Sequence, residues 1–135
     1  GVRLAALLLA GLAAGCAGSE PPCPTGTQRA TVAEAYFGRD VRGRAPVTDA
    51  EWRDFLDGTV TPAFPDGLTT VDAAGQWRGP DGRILRESSK VVSLVLPGAS
   101  AEEARTRLRP LEQAWISRFQ QDAVLTIYRS ACVGL

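Results

Sequence analysis

Hydrophobic and polar positions along this chain predict six secondary-structure elements in one α+β domain. Runs rich in β-branched and aromatic residues, bounded by glycine or proline, predict strands, whereas apolar residues at steps of three and four predict helices. Capping-box sequences mark the start of each helix, at Thr48 and at Ser100. The predicted strands cover residues 29–39, 68–78, 84–96 and 123–133.

The two predicted helices differ in length. Gly58, Pro62 and Pro65 limit the first helix to a few turns. The second is longer, because apolar residues recur on one face from Ala104 to Phe119. Pro110 lies inside it and has no amide hydrogen to donate, so the sequence predicts a kink or a break there.

The order strand, helix, strand, strand, helix, strand is typical of the ferredoxin-like βαββαβ fold. In that fold both helices cover one face of an antiparallel sheet, and the last strand lies antiparallel beside the first. Cys23 precedes the first predicted strand and Cys132 closes the last one. The topology therefore predicts a Cys23–Cys132 disulfide, which requires alpha carbons within about 7 Å.

The N-terminal residues resemble a bacterial lipoprotein signal peptide. Arg3 precedes an apolar run that begins at Leu4, and the small residues Ala14 and Gly15 lead to Cys16, whose thiol would accept lipid. We therefore expect a signal peptide at residues 1–15, a lipidated, proline-rich spacer at 16–27 and a single domain at 28–135. Ordinary secretory cleavage and a buried helix of the fold are the alternatives.

This N-terminal interpretation predicts where the protein resides. The apolar run is too short for a permanent membrane-spanning helix, which needs roughly 20 residues. The lipid on Cys16 would instead hold the domain on a membrane outside the cytoplasm, in the cell envelope. In a cell with two membranes, the predicted location is the periplasm or the outer membrane. An oxidising compartment of this kind also favours the predicted disulfide.

Composition narrows the chemistry that the domain can perform. The chain contains no histidine, which excludes a Ser-His-Asp triad, an imidazole base and histidine-ligated zinc. With Cys16 assigned to lipid, the two remaining cysteines are too few for a structural zinc site, and we predict no metal and no cofactor. The formal net charge is +0 at pH 7, so nothing indicates a nucleic acid partner.

An ordered series of short motifs is similar to a bacterial family known as domain of unknown function 3574. The resemblance covers the chain from about Cys23 to Cys132 and implies no particular activity. Ser88 departs from the pattern, which has proline at that position. The motifs are Phe37-Gly38-Arg39, Thr48-Asp49-Ala50-Glu51-Trp52, Thr61-Pro62, Phe64-Pro65-Asp66-Gly67-Leu68-Thr69, Ala73-Ala74-Gly75-Gln76-Trp77, Arg86-Glu87 and Ser89-Lys90.

Polar residues of the predicted hairpin and of the end of the first strand form a candidate ligand-binding site. Glu87 would accept a proton or a ligand amine, and Arg39 or Lys90 would hold an anionic group. Trp77 would form an apolar wall, with Gln76 beside it. Strand alternation places Glu87 and Lys90 on opposite faces unless a bulge intervenes. The alternative is a set of exposed cross-strand charge pairs with no binding role.

Two functions from different classes follow from these expectations. The preferred one is a lipid-anchored envelope protein that binds a ligand or an envelope protein partner on the open face of its sheet, or that forms a homo-oligomer through it. The alternative is a small enzyme that performs acid–base chemistry with Glu87 and Arg39 or Lys90.

Overall fold

A computed structural model describes Gly15 and residues 18–134 of the 135-residue chain. Cys16, the predicted lipidation site, and most of the predicted signal peptide lie outside the described residues. The four strands form one antiparallel sheet in the order β2-β3-β1-β4. The mixed α/β class and the pairing of the first strand with the last are confirmed. The strands are β1 (Gln28–Gly38), β2 (Thr69–Arg78), β3 (Ile84–Pro97) and β4 (Leu125–Val133).

The first helical segment begins where the sequence predicts it and changes geometry along its length. Helix α1 (Asp49–Phe55) starts with a complete capping box between Thr48 and Glu51. A π-helical turn at Leu56–Val60 follows and leads into the short helix α2 (Thr61–Ala63). Pro62 sits in the first turn of α2, where the missing amide hydrogen costs least.

The second predicted helix, α3 (Ala101–Phe119), runs through Pro110 without a break. Of the predicted kink or break, the break is wrong. Pro110 and Thr106 are both exposed, so water can satisfy the Thr106 carbonyl that loses its usual partner. Leu108 and Leu111 are buried on the core-facing side of the helix, and this packing stabilises the helix around the proline.

The core lies between one face of the sheet and the helices. Ala33, Ala35 and Phe37 of β1 are fully buried, as are Val92 and Leu94 of β3. They form one cluster with the apolar stripes of α1 and α3. An aromatic group fills its centre, and its members are Phe37, Trp52, Phe55, Trp115 and Phe119.

Two tertiary links fix the ends of β1. At its end, the Trp115 indole nitrogen donates a hydrogen bond to the Gly38 carbonyl oxygen at 3.2 Å, which ties α3 to the strand. At its start, Cys23 and Cys132 form the predicted disulfide, with alpha carbons 5.5 Å apart. The bridge joins positions 109 residues apart in the sequence. Within the described residues, no helix is both long and apolar enough to cross a membrane.

Candidate functional site

The face of the sheet that points away from the core is unusually apolar. We call it the open face, and it carries the odd-numbered residues of β2, β3 and β4 and the even-numbered residues of β1. Among the described residues, seven large hydrophobic side chains are exposed, and only Ile84 points to the other side. The six on the open face are Val71, Trp77, Leu85, Val95, Leu125 and Ile127.

A continuous apolar row crosses all four strands of the open face. Val71 pairs with Val91, Val91 pairs with Tyr36, and Tyr36 pairs with Leu125. The two ends of this row are bare, since Val71 is 53% exposed and Leu125 is 63% exposed. Directly opposed side chains of this kind lie about 4.5–5.5 Å apart, so the four form one strip.

One charged pair interrupts the apolar surface and neutralises itself. The two terminal guanidinium nitrogens of Arg129 donate hydrogen bonds to the Glu34 carboxylate, at 2.8 and 3.2 Å. Arg129 lies on β4 and Glu34 on the adjacent β1. Because the two charges satisfy each other within this chain, the open face presents no unpaired charge at this point.

Beyond the end of β1, the β2–β3 hairpin continues as a two-stranded arm. The last paired residue of β1 is Gly38, which lies opposite Ser89, whereas β3 extends back to Ile84. Near the tip, Trp77 pairs with Leu85 on the open face. Trp77 is 53% exposed, which is high for a residue type that is usually well covered.

Three of the predicted site residues lie on the helix-facing side of the sheet, and two of them, Lys90 and Arg39, contact Asp49 of α1. Lys90 is 90% covered, and its ammonium nitrogen lies 2.5 Å from Asp72 Oδ1 and 3.4 Å from Asp49 Oδ1. Arg39 contacts the same Asp49 oxygen at 3.1 Å and also donates to the Val47 carbonyl oxygen. The hydrogen bond and charge of Lys90, with the charge of Arg39, lower the pKa of Asp49. These groups form an internal ion-pair network that fastens α1 to the sheet.

Glu87 lies on the open face, away from that network. A side chain on Gly38 would collide with the Glu87 carboxylate, so glycine there allows the carboxylate to approach the end of β1. Partial burial and the nearby Asp40 carboxylate raise the pKa of Glu87 above its ordinary value of 4.5. A hydrogen bond from the Asp40 backbone has the opposite, smaller effect on this pKa.

The structure therefore divides the five candidate residues between two faces. Trp77 shares the open face with Glu87, whereas Gln76 faces the same side as Lys90. Pairing of β3 with both neighbours runs without a bulge, so nothing turns Glu87 toward Lys90 or Arg39. The acid–base arrangement that the sequence suggested is not assembled. The interpretation as cross-strand charge pairs fits Lys90 and Asp72, which lie directly opposite each other.

Two concave regions lie near the hairpin. A shallow depression of about 400 Å³ on the arm is lined in part by Gln76, Arg86 and Glu87. A larger cavity of about 510 Å³ lies where β2 begins and β3 ends, and it is lined in part by Leu68, Val95 and Arg107. No group of three or more Asp, Glu, Cys or His residues in the described part of the chain could hold a metal ion.

Similarity to solved structures defines the class of fold. The chain superposes on a phage SAM lyase in complex with S-methyl-5'-thioadenosine with a TM-score of 0.58 and 16% identity, covering 78% of this chain and 90% of that one. The same type of enzyme in its apo state gives a TM-score of 0.53 and 14% identity, with coverages of 87% and 97%. At such low identity the likeness shows a shared fold alone.

Sequence similarity then identifies the family. The profile of the family described as "Protein of unknown function (DUF3574)" matches residues 32–135. The chain therefore belongs to DUF3574, and the resemblance seen in its motifs is confirmed. No curated protein matches the sequence.

Sequence reasoning pointed to the open face in general but did not find the residues that make it apolar. Val95 lies in the apolar end of the third predicted strand and is 45% exposed. Leu125 and Ile127 alternate with Thr126 and Tyr128, and this alternation was the available signal. Alternation separates the two faces of a strand, but it does not say which face the helices cover.

Proposed function

We propose that this protein is a lipid-anchored protein of the cell envelope whose domain binds a protein partner through the open face. The concentration of exposed hydrophobic side chains on that face carries the proposal. Single exposed hydrophobic residues are normal on protein surfaces, whereas a contiguous apolar patch is typical of an interaction site.

The fold explains why this face remains available. We infer a ferredoxin-like arrangement, supported by the strand order β2-β3-β1-β4 and by the single core that α1 and α3 share with one side of the sheet. An antiparallel sheet covered on one side usually carries polar residues on the other. Apolar residues on the uncovered side are therefore better explained by a binding partner that removes them from water.

The spacer leaves the open face uncovered in the part that the structure describes. The Glu20 carboxylate contacts Arg29 and accepts a hydrogen bond from Ser130. Arg29 and Ser130 belong to the sets of β1 and β4 residues on the helix-facing side of the sheet. From Cys16, a spacer of this length can reach at most about 40 Å, so a domain anchored there stays close to the membrane.

The anchor is tested by metabolic labelling of cells with a palmitate analogue. The wild-type chain is expected to take up the label and to fractionate with membranes, whereas Cys16→Ser is expected to do neither. Ser19→Ala is the matched control, since it changes an exposed residue close to Cys16 and leaves both the lipidation site and the disulfide intact. Equal labelling of wild type and Cys16→Ser would remove the anchor from the proposal.

Partner binding is tested with a photo-crosslinking amino acid placed at Leu85 or at Ile84 in intact cells. These adjacent residues are 43% and 46% exposed, and they point to opposite faces of the arm. We expect protein adducts from position 85 and few or none from position 84. Equal yields at the two positions, or no protein adduct at either, would contradict binding through the open face.

A further inference from the structure

We infer that the occupant of the open face is a second copy of this chain, packed face to face, with Trp77 of each copy inserted into the cavity beside Val95 of the other. The inference rests on the proposed function because it uses the same surface. It adds the identity of the partner and the relative orientation of the two copies.

The area of the face suits a stable dimer. Strands lie about 4.8 Å apart and side chains on one face repeat every 6.8 Å or so, which gives each side chain about 33 Å². The open face has about 20 side chains, so it presents about 700 Å² per copy. Stable complexes bury about 800 Å² per partner, and crystal contacts are usually smaller than half that. If a second copy covers the whole face, the area buried per copy is close to that of stable complexes.

Charge does not oppose self-association. The formal net charge of the chain is +0, so two copies do not repel each other strongly. The only ion pair that the described contacts place on the open face, Arg129 with Glu34, is complete within one copy. A partner of opposite charge is not needed to satisfy it. Glu87 is the other charged residue among the strand positions of the open face; it is partly covered beside Gly38 at the end of β1 and lies outside the central Val91 row.

The strand register fixes how two copies can fit. Leu85 lies six residues from Val91 along β3 in one direction, and Pro97 lies six residues from Val91 in the other. A two-fold axis that runs across the strands through the Val91 row therefore places Leu85 of one copy over Pro97 of the other. Contacts of this kind are isologous, since each copy gives and receives the same residues.

The same operation brings Trp77 to the cavity. Trp77 lies on β2 beside Leu85, but β2 begins only at Thr69, which pairs with Ser93. The end of β3 thus has no β2 neighbour, and the cavity of about 510 Å³ occupies that space. Its lining includes the apolar residues Phe64, Leu68, Val95 and Pro97. Asp66 and Arg107 also line the cavity, so it has apolar walls and a charged rim. An exposed indole and a partly apolar cavity at symmetric positions form the kind of anchor that dominates protein interfaces.

The closing experiment uses the full chain in cells, with the photo-crosslinker at Leu85. We expect an adduct of twice the protein mass, with the crosslink mapped by mass spectrometry to the second copy's segment around Val95–Pro97. Trp77→Ala is expected to weaken self-association about 30-fold or more, as loss of an interface anchor does. Ile84→Ala, a similarly exposed residue of the same arm that points away from the open face, is expected to leave the adduct unchanged.

The other outcomes separate this inference from the proposed function. An adduct from position 85 with a different envelope protein would overturn the second copy as occupant and still support binding through the open face. A homodimer adduct that maps to strand β4, or that survives Trp77→Ala at full yield, would overturn the arrangement. An adduct with lipid alone, or no adduct, would overturn both the inference and the proposed function.

Discussion

The Lys90 ammonium and the Asp72 carboxylate meet at 2.5 Å across adjacent strands at the edge of the core. The lysine side chain is 10% exposed and the aspartate side chain 77% exposed, so the pair joins a nearly buried charge to a solvated one. Asp49 lies 3.4 Å from the same ammonium and links it to α1. The network therefore has a structural role, and its parts should respond differently to substitution.

Removal of the buried charge should be well tolerated. In Lys90→Met, a hydrophobic side chain of similar length replaces the ammonium, and both carboxylates can be solvated where they stand. Replacement of a buried ion pair by apolar groups of similar volume is often close to neutral, and removal of one partner is costly only when it leaves the other charge buried, which is not the case here. We expect the free energy of unfolding, measured by urea titration at pH 7, to change by less than about 1 kcal/mol.

Removal of the two exposed carboxylates should destabilise the protein more than removal of the lysine. The double variant Asp49→Asn, Asp72→Asn leaves Lys90 nearly buried without an anionic partner, and we expect a clearly larger loss of stability than in Lys90→Met. If the double variant were as stable as wild type and Lys90→Met were strongly destabilised, the network would be acting through lysine packing and not through charge.

The loss of folding stability at low pH should depend in part on Asp49. Lys90 and Arg39 hold the pKa of Asp49 below its ordinary value of 3.8 in the folded protein. A group with a lowered folded pKa stabilises the protein above the unfolded value, and this contribution is lost as pH falls through the folded pKa. Asp49→Asn should therefore reduce stability at pH 5–7 and lose less stability than wild type below about pH 4. Urea titrations across this range test the difference, and parallel pH profiles would contradict it.

Glu87 should change the pH dependence of folding stability in the opposite direction to Asp49. Partial burial raises its pKa above 4.5, so the folded state favours the protonated form. Its contribution is fully present below the unfolded pKa and is lost as pH rises through the folded pKa. We expect Glu87→Gln to match wild type near pH 4 and to be more stable at pH 7, because the amide stays neutral. Glu102→Gln is the control of opposite sign, since Arg105 lowers the pKa of Glu102.

The disulfide should supply a large part of the stability. Cys23 and Cys132 close a loop of 109 residues, for which chain entropy predicts up to about 5 kcal/mol. Cys132→Ser is expected to lose most of that free energy of unfolding and to lower the melting temperature, measured by calorimetry without reductant. Dithiothreitol should lower the melting temperature of wild type but leave that of Cys132→Ser unchanged. Insensitivity of wild type to complete reduction would contradict the prediction.

The sequence by itself determined the elements and the class of fold. Both capping boxes, at Thr48 and Ser100, start helices, because their hydrogen bonds form between residues three apart. The disulfide was also predictable, since the element order placed the first and last strands side by side. The continuity of α3 through Pro110 was not, because it depends on which side of the helix faces water.

The tertiary structure alone decided what the surface offers. Strand alternation places Glu87 and Lys90 on opposite faces of the sheet. Which of the two faces stays open depends on where the helices pack. The same alternation in β4 is compatible with Leu125 inside or outside, and the structure places it outside. Local sequence fixes the period of a strand, whereas exposure depends on contacts between residues far apart in the chain. The apolar row from Val71 to Leu125 therefore became visible only once the four strands were paired.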